Sequence, residues 1–407
     1  MKKLILATFF TLLVSYTFAQ KAPSHLKYFG YYLVDTEIDD PNDASTMTTY
    51  TEEVANFSNI AHLHVSNYTD DLTGRVNWMN TNCMKPFISV QNIFWSRKDA
   101  NGPSGNRFTL LPDYKERWAT FKKINASALK GSKVEFFYVS DEPTWNGISY
   151  DELNTICNLL KKDFPDIKIM ILEAYITLKQ FKIPKSADFI GFDRYCVFHP
   201  ATDTSYLANL ATLKSKLSAP HQKIWLTIDD NWIPLYGTYG YTPEMMASVI
   251  QEYYDVAAKE PLCEGLVGYM WPGGFDTPEQ LGVRNLPKNA LDLNVKIGRM
   301  IKANNTLCPD TEAPTTPTNC AVSKITQTSC FISWTNSKDN KRVEYYEVYK
   351  DGVFAGSTKR SSLTVTGLNC DTKYTITIKA TDAVGNMSVA SALSVTTPAC
   401  EVNSSPK

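Results

Sequence analysis

The 407-residue chain has almost no excess of charge. Its 41 Lys and Arg residues balance 42 Asp and Glu residues, which gives a formal net charge of −1. The basic residues are scattered, so we expect no nucleic-acid partner and no binding to an acidic membrane surface. After the N-terminal region there is also no apolar run of the ~20 residues that a membrane-spanning helix needs. We therefore expect no membrane insertion.

Several reactive motifs are missing as well. None of the nine Cys lies in a CxxC pattern or clusters with the five His, so a structural zinc site is not expected. The odd number leaves at least one thiol unpaired, and the pairing of the others cannot be inferred from the sequence. Ser140 lies in no Gly-x-Ser-x-Gly turn, and no glycine-rich phosphate loop occurs. We expect no serine-hydrolase chemistry, no organic cofactor and no metal.

The N-terminus has the pattern of a signal peptide over residues 1–19. Lys2 and Lys3 precede an apolar stretch from residue 4 to 14, and Ala19 follows in a small-residue cleavage context. Cleavage there makes Gln20 the first mature residue. No Cys follows that site, so a lipid anchor is not expected. We predict an exported protein that is secreted or lies at the cell surface.

The remaining length indicates two domains. A short polar segment with two prolines, residues 310–317, has the composition of a linker. After it, short alternating segments such as 329–334 and 374–380, with Trp334 early and Tyr374 late, predict a β-sandwich. Val348 to Gly352, Leu363 to Leu368 and Tyr374 to Asn386 resemble a fibronectin type III module. We assign residues 310–400 to it and 401–407 to a tail.

Residues 20–309 alternate strand and helix patterns. Helical spacing is found at residues 151–162, 205–217, 242–258 and 288–301. The apolar, strand-like runs are residues 28–34, 60–65, 86–90, 134–139, 167–172, 189–192, 224–228 and 266–271. Eight such runs predict an α/β fold, a (β/α)8 TIM barrel. The competing doubly wound open sheet usually has a glycine-rich first turn, which is missing here.

Polar and aromatic residues follow the predicted strands, where the catalytic face of such a barrel lies. Carboxylates recur after four successive strands, and each could instead cap the next helix. As a set with nearby aromatics, they suit the hydrolysis of glycosidic bonds. The candidate catalytic residues are Asp141, Glu142, Asp229 and Asp230. The candidate sugar-binding residues are Asn67, Gln91, Trp145, Glu173, Asp193, Tyr195, Trp232 and Trp271.

Ser140-Asp141-Glu142-Pro143 carries the most specific signal. Glu142 after the fourth strand and Trp271 after the eighth resemble the general acid/base and the sugar platform of the retaining-glycosidase clan on (β/α)8 barrels. Two departures are present. That clan has Asn where this chain has Asp141, and it has Glu after the seventh strand, where Asp229 and Asp230 lie here.

The Asp-Glu pair also resembles barrel hexosaminidases that use the acetamido group of the substrate as nucleophile. That resemblance implies that Asp141 orients the acetamide and Glu142 protonates the leaving group, with Tyr195 or Tyr175 as a further donor. Asp229 or Asp230 would then only bind hydroxyls. The sequence does not separate the two mechanisms, and a conventional carboxylate pair is our first interpretation.

Two alternatives come from other classes. His62 and His64 share one face of the second strand, but later strands supply no further metal ligands, so packing or hydroxyl binding is preferred. A barrel that binds glycans without cleaving them is the non-enzymatic alternative. In either case the expected partner is a carbohydrate and the expected state is a monomer. The polar insertion at residues 101–107 is expected to border a cleft.

Overall fold

The computed structural model describes residues 22–305, 312–340, 342–382 and 385–400. The predicted signal peptide, residues 306–311 before and within the predicted linker, and the tail lie outside these ranges. Within them, an α/β barrel precedes an all-β sandwich, which confirms the predicted fold class. No helix in the described part of the chain is long and apolar enough to cross a membrane.

The barrel is one sheet of eight parallel strands. They are β1 (Tyr28–Tyr31), β2 (Ile60–His64), β3 (Lys85–Ser89), β4 (Phe136–Asp141), β5 (Lys168–Ala174), β6 (Phe189–Asp193), β7 (Lys223–Asp229) and β8 (Cys263–Tyr269). Their order around the sheet is β1-β8-β7-β6-β5-β4-β3-β2. Each predicted strand is present, with its ends shifted by up to three residues.

The sheet is nearly closed, and its seam lies between β1 and β2. The side chain of Asn59 accepts the Phe29 N–H at 2.9 Å, and the Asn59 N–H donates to the Phe29 carbonyl at 3.0 Å. Farther up the seam, the Leu33 N–H donates to Nδ1 of His62 at 3.2 Å. Gly30 permits this approach, since a Cβ there would lie 2.2 Å from the Ile60 carbonyl oxygen. Side-chain hydrogen bonds and a single backbone hydrogen bond therefore complete the seam where no strand ladder forms.

Helices cover the outside of the sheet. The longer ones are α1 (Thr73–Thr81), α2 (Tyr114–Ile124), α3 (Tyr150–Asp163), α4 (Thr204–Lys216), α5 (Met246–Lys259) and α6 (Lys288–Lys302). Short helices are Thr51–Val54, Gln91–Phe94 and Pro234–Thr238, and 3-10 turns are Tyr175–Thr177, Pro243–Met245 and Val283–Asn285. Ser149 and Glu152 form a capping box that starts α3. Only a 3-10 turn, rather than a helix, follows β5 directly.

The interior of the barrel is filled mainly by aromatic side chains. The rings of Tyr28, Phe136 and Phe189 meet edge to face, with centroids 5.0 to 5.6 Å apart. Nearer the carboxyl ends of the strands, Gly191 makes room for the indole of Trp225, because a Cβ at Gly191 would lie 2.0 Å from Nε1 of that indole. A packed interior leaves space for a ligand only above the strands, as in other barrels of this type.

The C-terminal domain has two antiparallel sheets, in the orders β9-β10-β13 and β12-β11-β14-β15. The strands are β9 (Thr318–Ser323), β10 (Ser329–Thr335), β11 (Val343–Lys350), β12 (Val353–Thr358), β13 (Ser362–Thr366), β14 (Lys373–Asp382) and β15 (Ser391–Thr396). Trp334 packs in its core against Tyr346, and the hydroxyl of Tyr374 accepts the Asn369 N–H at 2.7 Å. A disulfide joins Cys370 to Cys400.

Candidate active site

A cavity of about 880 Å³ opens at the carboxyl ends of the strands. A hairpin of Trp95–Asp99 and Arg107–Leu110, which we call the mouth hairpin, forms part of its wall through Phe108. Asn106 from the insertion also lines the cavity, so the insertion borders a cleft. The volume lies in the range of sites for small ligands, roughly 300–1,000 Å³.

The structure brings five of the predicted residues to this cavity. They are Asp141, Glu142, Asp193, Tyr195 and Gln91. Asp141 is open to the water of the cavity, whereas Asp193 is buried. Gln91 also acts within the protein, because its side-chain oxygen accepts the Asp141 N–H at 2.9 Å. The cavity is therefore built around the acidic segment at the end of β4.

A β-bulge sets the direction of Asp141. Tyr138 pairs with Met170 of β5, but Ser140 pairs with the next residue, Ile171, so Val139 is an extra residue in β4. Without this insertion, alternation along the strand would place Tyr138 and Asp141 on opposite faces. In the structure, the Tyr138 hydroxyl donates to Oδ1 of Asp141 at 2.6 Å. Tyr138 is a site residue that sequence reasoning missed.

Glu142 has an unusual backbone conformation, with φ of 47°. This left-handed conformation is costly for a residue with a Cβ, and such strain is common at functional sites. The Glu142 N–H donates to the Leu172 carbonyl at 2.8 Å, and its own carbonyl accepts the Asn146 N–H at 2.8 Å. Backbone hydrogen bonds on both sides thus hold Glu142 at the turn.

The pKa values of three neighbouring carboxyl groups are raised at this site, each chiefly by burial. Burial, the charge of Asp141 and, to a lesser extent, that of Glu173 raise the pKa of Glu142 to about 8. Burial, followed by the charges of Glu142 and Asp141, raises the pKa of Asp193 well above its usual range, and its carboxyl is hydrogen-bonded to Glu142. Asp141 faces the water of the cavity, but the surrounding protein removes part of its hydration and thereby raises its pKa, against the hydrogen bond from Tyr138, which lowers it. A protonated Glu142 at neutral pH can serve as a general acid.

Glu173 is predicted to bind sugar, but the structure places it beneath the loop that carries Glu142. It is fully buried and does not line the cavity. Its carboxylate accepts the N–H groups of Thr144 at 3.0 Å and Trp145 at 3.3 Å, and the Thr177 hydroxyl at 2.8 Å. Glu173 therefore holds the loop after Glu142 in position.

Asp229 and Asp230 do not line the cavity. Asp229 accepts hydrogen bonds from the Tyr236 hydroxyl at 2.5 Å, the Cys196 N–H at 2.9 Å and the Asn231 amide at 3.1 Å. Asp230 lies behind the sheet, where Nδ2 of Asn294 from α6 donates to it at 3.0 Å. Both carboxyl groups are buried, which raises their pKa to about 7. Neither is placed to attack a sugar carbon in the cavity.

The predicted tryptophan platform at the end of β8 also lies elsewhere. Trp271 is buried against Tyr31 and Phe57 on the outer side of the barrel, and its indole N–H donates to Glu53 at 2.6 Å. Tyr269, the last residue of β8, lines the cavity instead, with its ring 5.1 Å from that of Tyr195. The strand ends at Tyr269, so alternation no longer sets the direction of Trp271.

The other predicted residues lie outside the cavity lining as well. Asn67 forms a local turn with Thr69 and Asp70. The Trp145 carbonyl accepts an N–H from Ser104, next to the mouth hairpin, and the Trp232 indole donates to the Tyr241 carbonyl at 2.8 Å. Tyr175 is exposed and stacks under Arg194. In the described residues, no three His, Cys, Asp or Glu side chains are grouped so that they could hold a metal ion.

Comparison with known proteins identifies the second domain. Residues 315–396 match the family model described as "Fibronectin type III domain". The chain is 50% identical over 90 residues to Chitinase Chi52 of Paenibacillus xylanexedens, which covers 22% of this chain and 17% of that protein.

Two further relatives are similarly placed. Chitinase A1 of Niallia circulans is 47% identical over 95 residues, 23% of this chain and 14% of the relative. Exoglucanase B of Cellulomonas fimi is 46% identical over 95 residues, 23% of this chain and 9% of the relative. The chain thus spans under a fifth of the length of these relatives, through its second domain only. Residues 315–396 form a fibronectin type III domain.

Proposed function

We propose that the barrel is an exported glycoside hydrolase that uses Glu142 as its general acid/base. The observation that carries this proposal is the group of Asp141, Glu142 and Asp193 in one cavity, where burial and the charge of Asp141 raise the pKa of Glu142 to about 8. Cleavage of a glycosidic bond needs a proton for the leaving oxygen, and a buried carboxyl beside other carboxylates provides it. The signal-peptide pattern and the relatives named chitinase and exoglucanase agree with action on extracellular glycans.

For the mechanism we favour the substrate-assisted route over the conventional carboxylate pair. Asp229 and Asp230 are held by protein donors outside the cavity, whereas Asp141 lies beside Glu142 within it. In the proposed reaction, Glu142 protonates the glycosidic oxygen while the carbonyl oxygen of the 2-acetamido group attacks the anomeric carbon, so that the bond from this carbon to the glycosidic oxygen breaks and the leaving sugar departs as an alcohol. The carboxylate of Asp141 stabilises the resulting oxazolinium ring by accepting a hydrogen bond from the N–H of that ring. Water, deprotonated by Glu142, then opens this intermediate.

The roles of the neighbours follow from their contacts. Tyr138 donates to Asp141 and leaves its other carboxylate oxygen available for the acetamide N–H. Asp193 shares a hydrogen bond with Glu142 and so influences when that proton is released. Tyr195 lines the cavity beside Tyr269 and is the candidate donor to the acetamide oxygen.

The test is hydrolysis of aryl glycosides of N,N′-diacetylchitobiose and of cellobiose by the mature chain and by E142Q, D141N and D229N. We expect cleavage of the acetamido substrate, a loss of about 100-fold or more in E142Q, and a large loss in D141N. D229N is expected to retain most of the activity, with folding checked by thermal unfolding. Wild-type activity in E142Q would contradict the proposal.

Two other results would favour a different mechanism or a different function for the barrel. A D229N variant that folds but is inactive, beside an active D141N, would favour the conventional pair. Binding of the oligosaccharides without any hydrolysis by the wild type would favour the non-catalytic glycan-binding alternative.

A further inference from the structure

His62 is a cavity residue to which the proposed reaction gives no role. Only 4% of it is exposed, and it lies in the cavity wall on β2, two strands from the acidic segment on β4. Its ring stacks on Phe87 with centroids 5.2 Å apart. The ring of Tyr138, which binds Asp141, lies 6.3 Å from it. His62 is thus separated from the acidic group by one aromatic side chain.

The protonation of His62 is fixed by its neighbours. A backbone N–H can only donate, so Nδ1 must accept the hydrogen bond from Leu33. The ring proton therefore lies on Nε2 in the neutral form. Burial, with smaller contributions from the charges of His64 and Arg75, lowers the pKa of His62 to about 3. His62 is consequently a neutral, oriented donor under physiological conditions.

Nε2 of His62 is buried and has no hydrogen-bond partner in the protein. A buried donor without an acceptor costs free energy, so proteins rarely keep one without a function or a bound molecule. The hydroxyl oxygens of Tyr32 and Ser140, two other residues in the lining of the same cavity, are also buried without a partner. Three unpartnered polar atoms in the lining of one cavity indicate that a polar ligand completes hydrogen bonds there.

The charges of the cavity restrict what that ligand can be. Its acidic lining residues are Asp141, Glu142, Asp193 and Asp276. Among the described residues, no Lys or Arg lines it, and the pKa of both His62 and His64 is lowered, chiefly by burial. A sugar with a carboxylate or sulfate group would add a negative charge with no cation to pair with it. The lining therefore favours an uncharged sugar.

We propose that His62 is a specificity-determining residue whose Nε2–H donates to an oxygen atom of an uncharged sugar ring in the cavity. This inference rests on the proposed function, since it assumes that the cavity binds a glycan. It adds a binding residue outside the acidic group and excludes acidic glycans as substrates.

Two replacements separate the donor from the fold. In H62N the amide oxygen can still accept the Leu33 N–H near the position of Nδ1, but no donor reaches the position of Nε2. In H62Q the longer side chain can place an amide N–H near that position. Both variants are made in the E142Q background, so that binding is measured without hydrolysis. H221Q, at the opposite end of the barrel, is the matched histidine control.

Binding of tri-N-acetylchitotriose is measured by isothermal titration calorimetry, and folding by thermal unfolding. We expect H62N to weaken binding by about tenfold, as for one lost hydrogen bond, and H62Q to recover most of it. H221Q should bind as its parent does. Binding by folded H62N that equals its parent would overturn the proposal.

Trigalacturonic acid is the second probe, and it needs no variant of His62. We expect E142Q to bind it at least about tenfold more weakly than the neutral trisaccharide. Equal or tighter binding would overturn the proposal. His62-dependent binding by a wild type that cleaves nothing would contradict the proposed hydrolysis alone. No binding of the neutral trisaccharide would overturn both.

Discussion

Each end of the barrel contains a glutamate that is at least half-buried, Glu135 at one end and Glu142 at the other, and their surroundings are opposite. At the amino ends of the strands, Glu135 accepts the Tyr28 hydroxyl at 2.7 Å and pairs with Lys168 and, at 3.5 Å, with Lys85. At the carboxyl ends, Glu142 meets the carboxyl groups of Asp141 and Asp193 and no cation that the described residues place in the cavity.

The pKa values of Glu135 and Glu142 are therefore shifted in opposite directions, although burial alone would raise both. Burial alone would raise the pKa of Glu135, but the charge of Lys168 and the hydrogen bonds from Lys168 and Tyr28 outweigh it and lower that pKa. At Glu142, burial and the charge of Asp141 act in the same direction and raise its pKa to about 8. The amino end of the barrel stabilises the ionised form of Glu135. The carboxyl end destabilises the ionised form of Glu142, and a carboxyl group that keeps its proton can act as an acid in catalysis.

The largest effect is expected for E142Q, which removes the acid from the carboxyl end. We predict a loss of about 100-fold or more in kcat on an aryl N,N′-diacetylchitobioside, measured by product release. The free energy of unfolding at alkaline pH should rise in this variant even though its activity falls. Because the folded pKa of Glu142 is raised, its stabilising contribution is complete below the unfolded value of about 4.5 and is lost as pH rises through about 8. Urea unfolding at pH 8.5 should thus find E142Q more stable than the wild type, and a less stable variant would contradict this.

D141N is expected to act on both rate and pH dependence. Loss of the group that orients the acetamide should lower kcat on the order of 10- to 100-fold. The charge of Asp141 helps to raise the pKa of Glu142, so the alkaline limb of the kcat/KM profile should move to lower pH in the variant. The pH profile is measured from pH 4 to 9, with D229N as the control. An unmoved limb would mean that Asp141 and Glu142 do not interact.

E173Q should have a smaller effect, because Glu173 acts through the loop and does not face the cavity. Its amide can accept fewer of the hydrogen bonds from the Thr144 N–H, the Trp145 N–H and the Thr177 hydroxyl. We expect kcat to fall about tenfold while KM changes little, equivalent to the loss of about one hydrogen bond in positioning. A rise in KM alone would instead favour the original prediction that Glu173 binds sugar.

E135Q should leave activity within about twofold of the wild type while lowering the free energy of unfolding. It leaves Lys168 and Lys85 without their carboxylate, which we estimate to cost about 2–3 kcal/mol. Because the folded pKa of Glu135 is lowered, its contribution is present above the unfolded value of about 4.5 and is lost as pH falls below it. Urea unfolding at pH 7 and pH 3.5 measures this. Equal stability at pH 7 would contradict it.

The sequence predicted the strands well, because eight apolar runs bounded by polar segments leave few alternatives. It also predicted that Asp141, Glu142 and Asp193 follow strands whose ends meet at one face of the barrel. It did not predict the directions of the side chains. A bulge at Val139 turns Asp141 into the cavity, and Trp271 turns outward to Glu53 once β8 has ended. Such backbone irregularities depend on tertiary contacts that a hydrophobic pattern does not encode.

The hydrogen-bond partners of the buried polar side chains could not be predicted from the sequence either. Asp229 and Asp230 resemble catalytic carboxylates in the sequence, but they are held away from the cavity by hydrogen bonds from Tyr236, seven residues after Asp229, and from Asn294 of α6. His62 was visible in the sequence, although its role depends on Leu33, which accounts for Nδ1 and leaves Nε2 without a partner.

The most direct test of the contrast between the two ends is a 13C NMR titration of the glutamate carboxyl groups, with E142Q and E135Q used to assign the two signals. We predict that the signal absent from E142Q titrates near pH 8 and that the one absent from E135Q titrates below about 4.5. If both titrate together near pH 4 to 5, as ordinary glutamates do, the account of the two ends is wrong.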